Sequence, residues 1–89
     1  MTMPELSTIA LHMITYLVQD PERLVGFLSA TGSSPQDLRA RLQDPLFQAA
    51  ILDYMLENET LLVDFCEYLK VDAQAVWADR MKLPGAPVA

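Results

Sequence analysis

The chain has 89 residues, with 12 Asp or Glu against 6 Lys or Arg, a formal net charge of −6 at pH 7 and one cysteine. That length suits a single domain. The negative balance disfavours nonspecific binding to nucleic acid or to an anionic membrane, and one cysteine excludes an intrachain disulfide framework.

The hydrophobic share is 52%, above the usual globular level, and a chain this short buries only about two thirds of its surface. Some apolar side chains must stay outside, or be covered by a second copy or a partner. The opening MTMPELS lacks the basic region of a signal peptide. The apolar run from Ile9 to Val18 contains His12 and Thr15 and falls short of the roughly 20 residues a spanning helix needs. A soluble, cytoplasmic protein is expected.

The first predicted helix runs from Pro4 or Glu5 to about Gln19. Leu6, Ile9, Ala10, Met13, Ile14 and Leu17 form its apolar stripe, and Glu5, Thr8, His12, Thr15 and Gln19 its polar face. Asp20-Pro21-Glu22 starts a second helix, in which Leu24, Phe27, Leu28 and Thr31 share a side and Gly32 ends it. Ser34-Pro35-Gln36-Asp37 starts a third, with Asp37 at the capping-box position, Leu38 and Leu42 inward, and Arg39 and Arg41 outward.

Asp44-Pro45 opens the fourth helix, residues 45–57. From Leu46 to Leu56 its only polar residues are Gln48 and Asp53. A helix apolar nearly all round is a buried one, so this segment is expected at the centre. Glu57-Asn58-Glu59 turns the chain. The fifth helix sets Leu61, Leu62, Phe65, Cys66 and Leu69 at helical spacing, with Thr60, Asp64 and Glu67 opposite. Asp72 caps a sixth helix from about Ala73 to Met81, where Val76, Trp77, Arg80 and Met81 share one side. The expectation is an all-α six-helix domain over residues 1–83, with a disordered tail at 84–89 after Leu83-Pro84-Gly85.

A shift of 38 residues lays the second half on the first. Tyr16 falls on Tyr54, Leu24 on Leu62, Val25 on Val63, Phe27 on Phe65, Gln36 on Gln74 and Ala40 on Ala78. The caps follow, Asp20 on Asn58 and Ser34 on Asp72. This pattern predicts two related three-helix units.

Arg23-x-x-x-Phe27-Leu28-x-x-Thr31-Gly32, Leu52-Asp53-Tyr54-Met55-Leu56, Phe65 and Leu83-Pro84-Gly85 together resemble the bacterial family called domain of unknown function 3572, small proteins mainly of alphaproteobacteria. The resemblance covers nearly the whole chain. It departs at Leu69-Lys70-Val71, where a glycine turn like Thr31-Gly32 is expected. It implies a fold and a taxonomic home, and no activity or functional residue.

No residue set reaches a catalytic, cofactor or metal signature. His12, the single histidine, reads as an exposed bystander, and Cys66 as a small inward hydrophobe rather than a reactive thiol. Asp53, Glu57, Asp64 and Glu67 read as solvated acids without calcium-loop spacing. Asp53 interrupts an apolar helix and, if buried, requires a partner such as an Arg. Tyr16, Tyr54, Tyr68 and Trp77 are candidate anchors for a protein partner, although rings at a core edge are the commoner case. Residues 24–42, with Arg39 and Arg41 outward, resemble a helix-turn-helix, which makes a DNA-binding regulator the alternative. A deep pocket lined by Asp53, His12 and a tyrosine would instead indicate an enzyme. The leading expectation is a non-enzymatic protein-interaction module that binds another protein or a second copy of itself.

Overall fold

The computed structural model describes residues 8–85, and these form six α-helices with no strand among them. The helices are α1 (Thr8–Val18), α2 (Pro21–Thr31), α3 (Pro35–Arg41), α4 (Pro45–Glu57), α5 (Glu59–Leu69) and α6 (Ala73–Met81). None is long and apolar enough to cross a membrane. The expected start of the first helix at Pro4 or Glu5, and positions 86–89 of the expected tail, lie outside the described residues.

The helix starts follow the local sequence. Asp20 accepts a hydrogen bond from the Glu22 N–H at 2.9 Å, and Asp44 accepts one from the Leu46 N–H at 3.0 Å. Ser34 and Asp37 form a reciprocal capping box, with bonds of 3.2 and 2.8 Å. Proline follows Asp20, Ser34 and Asp44 at the first helical position, where a missing N–H leaves nothing unpaired. Asp72 caps α6 through the Ala75 N–H at 3.0 Å.

The start of α5 departs from the expected pattern. Asn58 makes no side-chain cap to α5. Its amide donates backwards instead, to the Tyr54 carbonyl at 2.6 Å. The proposed match between Asn58 and Asp20 as caps is therefore corrected: one residue separates α4 from α5, and its side chain closes the first helix. Thr31, on the side of α2 shared by Phe27 and Leu28, is exposed, and its hydroxyl donates to the Phe27 carbonyl at 2.8 Å.

α4 occupies the centre. Phe47, Gln48, Ala49, Ile51, Leu52 and Met55 are buried, and the helix packs against α1, α2, α5 and α6. Leu38 joins α3 to the same core. Burial of Ile51, Leu52 and Met55 stabilises the fold by roughly 1.5–3 kcal/mol each. Gln48 is buried as well, and its amide donates to the Leu42 carbonyl at 2.8 Å, tying the end of α3 to α4. Such a bond offsets the cost of taking an amide out of water.

Several positions 38 apart share geometry. The Tyr16 ring meets Phe65 edge-on at 5.5 Å and 70°, and the Tyr54 ring meets Phe27 edge-on at 5.3 Å and 79°. Gly32 takes φ 67° and donates to the Leu28 carbonyl, while Lys70 takes φ 61° and donates to the Cys66 carbonyl. The next residues continue the likeness: Ser33 N–H bonds Leu28 at 3.0 Å, and Val71 N–H bonds Cys66 at 3.1 Å. Both are Schellman-type helix ends. So the turn at Leu69-Lys70-Val71 has the glycine geometry without the glycine. The halves differ at their third helices. α3 has 7 residues and α6 has 9, and α6 packs closely on both α4 and α5.

Candidate functional site

Asp53 is the polar interruption of α4, and Arg80 lies on α6 one turn after the buried Val76. Arg80 Nε reaches Asp53 Oδ1 at 2.6 Å, and Nη2 reaches Oδ2 at 3.2 Å. Asp53 has the arginine partner its place in α4 called for if buried, but the buried member is the cation: the Arg80 side chain is 5% exposed and the Asp53 side chain 48%. The same guanidinium donates to the carbonyls of Leu83, Pro84 and Gly85 at 3.4, 3.0 and 2.9 Å. Its N–H groups are thereby used up in structure. Position i+4 from Val76 was the sequence signal for this burial, but a long cation on a short helix ordinarily reads as solvated.

Among the candidate anchors, Tyr16 and Tyr68 come together, with ring centroids 5.0 Å apart. Tyr16 is buried rather than exposed at an edge. Burial pushes its phenol up, the Arg23 guanidinium opposes this, and the charges of Asp64 and Asp20 add to it. Arg23 lies 4.1 Å from the Tyr16 ring centroid and donates to the Tyr16 carbonyl at 3.3 Å. The Tyr68 hydroxyl is exposed at the surface and accepts from Gln19 at 2.9 Å.

Tyr54 is half-buried on α4 against Phe27. Trp77 stands exposed on α6. Arg39 and Arg41 are exposed on α3, and Arg41 is engaged by Asp44 at 3.3 Å and by the Phe47 ring at 5.1 Å. His12 is exposed on α1. Among the described residues, no group of three or more His, Cys, Asp or Glu is placed to hold a metal.

The feature that sequence reasoning missed lies between α5 and α6. An open, mostly apolar groove of ≈ 310 Å³ is lined by Leu62, Val63, Cys66, Glu67, Val71 and Ala73. Val63 is 50% exposed. From Ala73 the apolar surface continues along α6 through Trp77 and Met81, which are 47% and 53% exposed. Residues four apart lie one above the other on a helix, so these three make one stripe. Burial pushes the Cys66 thiol up, and the nearby Asp72 charge adds to the shift. Such a thiol stays protonated and apolar at neutral pH.

Glu67 lines the groove itself, and Glu59 stands one helical turn before Val63 on α5. A second open cavity, ≈ 440 Å³, is lined by Glu57, Asn58, Glu59, Thr60, Leu61 and Asp64 at the corner of α4 and α5. Glu57, Glu59, Asp64 and Glu67 are exposed. The ion pairs among the described residues engage Asp20, Asp44, Asp53 and Asp79 instead.

No curated protein and no solved structure matches this chain. The resemblance carried by the Arg23 to Gly32 segment and by Leu83-Pro84-Gly85 holds at family level. With residues 5–86 matched, the chain belongs to the family described as protein of unknown function, DUF3572.

Proposed function

We propose that the protein is a non-enzymatic interaction module that docks another protein on the α5–α6 face. One observation carries this reading: the groove at Val63 and Cys66 runs into the exposed Ala73, Trp77 and Met81 stripe on a chain of net charge −6. Contiguous apolar surface on an otherwise charged small domain marks interaction sites. Trp and Met are the residue types that gather at the centres of interfaces, Trp for its contact area and Met for its adaptable shape. Against the helix-turn-helix alternative, Asp44 offsets the charge of Arg41 and leaves Arg39 as the other exposed arginine of α3 on a chain of net charge −6.

Photo-crosslinking residues placed at position 63 or 77, and at the exposed position 25 on α2 as a control, test the reading in cells. The expected result is a shared set of discrete crosslinked species from positions 63 and 77, absent from position 25. The same species from all three positions, or none from 63 and 77, would overturn it.

A further inference from the structure

We infer that the α5–α6 face receives a basic amphipathic helix of a partner protein, an inference that rests on the docking reading above. The groove supplies the apolar half of that recognition. Its floor is Leu62, Val63, Cys66, Val71 and Ala73, and the stripe extends through Trp77 to Met81. At 1.5 Å per residue, Ala73 to Met81 spans about 12 Å, or roughly two turns of a docked helix. A helix laid there offers apolar side chains at i, i+3 or i+4, and i+7.

The charge around the groove selects the sign of that helix. Residues 44–69 hold six acids and no Lys or Arg. On α5, Glu59, Val63 and Glu67 fall at i, i+4 and i+8, so the exposed valine stands between two acids on one strip. Glu57, Glu59, Asp64 and Glu67 have no cation partner among the described residues. Asp72, exposed at the start of α6, extends the same charge past the groove, and Lys70 is the nearest cation in sequence.

A neutral helix seated on Val63 would take the Glu59 and Glu67 carboxylates out of water with nothing to pair them. A second copy of the chain would press the same acids against each other. Lys or Arg flanking the apolar face of a partner helix pairs them, and also steers the encounter.

Trp77 is the single tryptophan, so its emission reports on this face. The probes are three Trp-free peptides of about 15 residues, long enough for four helical turns. One is a Leu/Lys amphipathic helix, one has Glu in place of every Lys, and one is the Leu/Lys composition scrambled to remove the apolar face. Only the first is expected to blue-shift Trp77 with saturation, and its affinity should fall steeply with salt. Val63→Asp, and separately Glu59→Lys with Glu67→Lys, should each weaken it by about tenfold, the scale of one lost interface contact, with unchanged far-ultraviolet circular dichroism.

Equal binding of the Leu/Glu peptide would overturn the basic assignment and leave the docking face standing. Equal binding of the scrambled peptide would reduce the effect to charge alone and overturn the helix. Silence from all three peptides overturns the inference, and the crosslinks from positions 63 and 77 then decide separately whether the docking reading survives. A Trp77 blue shift with rising protein concentration, together with a doubled mass by light scattering, would assign the face to a second copy and overturn the inference.

Discussion

Arg80 and Asp53 form a two-pronged ion pair in which the cation is buried and the anion stands half in water, at 2.6 and 3.2 Å. The pair joins α6 to the central helix across 27 positions of sequence. Through its remaining bonds, Arg80 also fixes the Leu83-Pro84-Gly85 backbone.

Removing the two partners should therefore cost different amounts. Arg80→Ala abolishes five hydrogen bonds and opens the core beneath α6, and a loss of about 3 kcal/mol is expected. Asp53→Ala leaves the guanidinium on its three carbonyls, and half the lost charge pair was already screened by water, so about 1–2 kcal/mol is expected. Arg80→Lys should behave like the alanine variant, because a point charge cannot reproduce the fork. Urea unfolding of the three variants decides the order. A larger loss for Asp53→Ala than for Arg80→Ala would contradict it.

Gly32 and Lys70 occupy the same left-handed conformation at the C-terminal ends of α2 and α5, φ 67° and 61°. Only glycine adopts it without a steric penalty, about 1 kcal/mol for other residues. Lys70→Gly should accordingly stabilise the protein by about 0.5–1 kcal/mol, and Gly32→Ala should destabilise it by a similar amount. Thermal melts of the two variants should shift in opposite directions.

Gln48 carries the elbow between α3 and α4. Gln48→Leu keeps the buried volume but leaves the Leu42 carbonyl without its 2.8 Å donor. A destabilisation of about 1–3 kcal/mol is expected, as for a buried acceptor left unpaired. Hydrogen exchange should quicken in α3 more than in α5 or α6.

Cys66 gives a pH-dependent readout. Its thiol is raised by burial and by Asp72, so the thiolate is scarce at neutral pH. Iodoacetamide should alkylate it more slowly than it alkylates a free cysteine, at a rate that climbs with alkaline pH. The folded protein holds this proton more tightly than the unfolded chain does. The resulting stability is complete below the unfolded pKa and is lost as pH rises through the folded one. Cys66→Ala should flatten that alkaline slope in a denaturation series, and an unchanged slope would remove the thiol as its source.

The element map was readable because the chain announces its helix starts. Asp20-Pro21, Ser34-Pro35, Asp44-Pro45 and Asp72 mark four of them, and the almost uninterrupted apolar run of 46–56 marks the buried centre. Local chemistry decides both, so local sequence reveals both. The turn at Lys70 escaped because its conformation is imposed by the flanking helices rather than by a glycine. Arg80 escaped because its acceptors include three backbone carbonyls, which no side-chain pattern displays. The sequence leaves Tyr16 open between a partner anchor and a ring at the core edge, and its burial depends on Phe65, 49 positions later, meeting it edge-on. The groove between α5 and α6 was the least visible feature of all. Composition implied surplus apolar surface, but the packing of α6 on α4 and α5 determines that Leu62, Val63, Cys66, Val71 and Ala73 line it.

The two edge-on ring pairs trade partners between the halves: Tyr16 rests on Phe65, and Tyr54 on Phe27. Neither trio of helices thus owns a finished interior. A chain severed near Gln43 should yield two fragments that are separately unstructured and regain helicity when mixed, by complementation. The intact protein should melt in one cooperative step, since loosening either half strips the aromatic lid from the other.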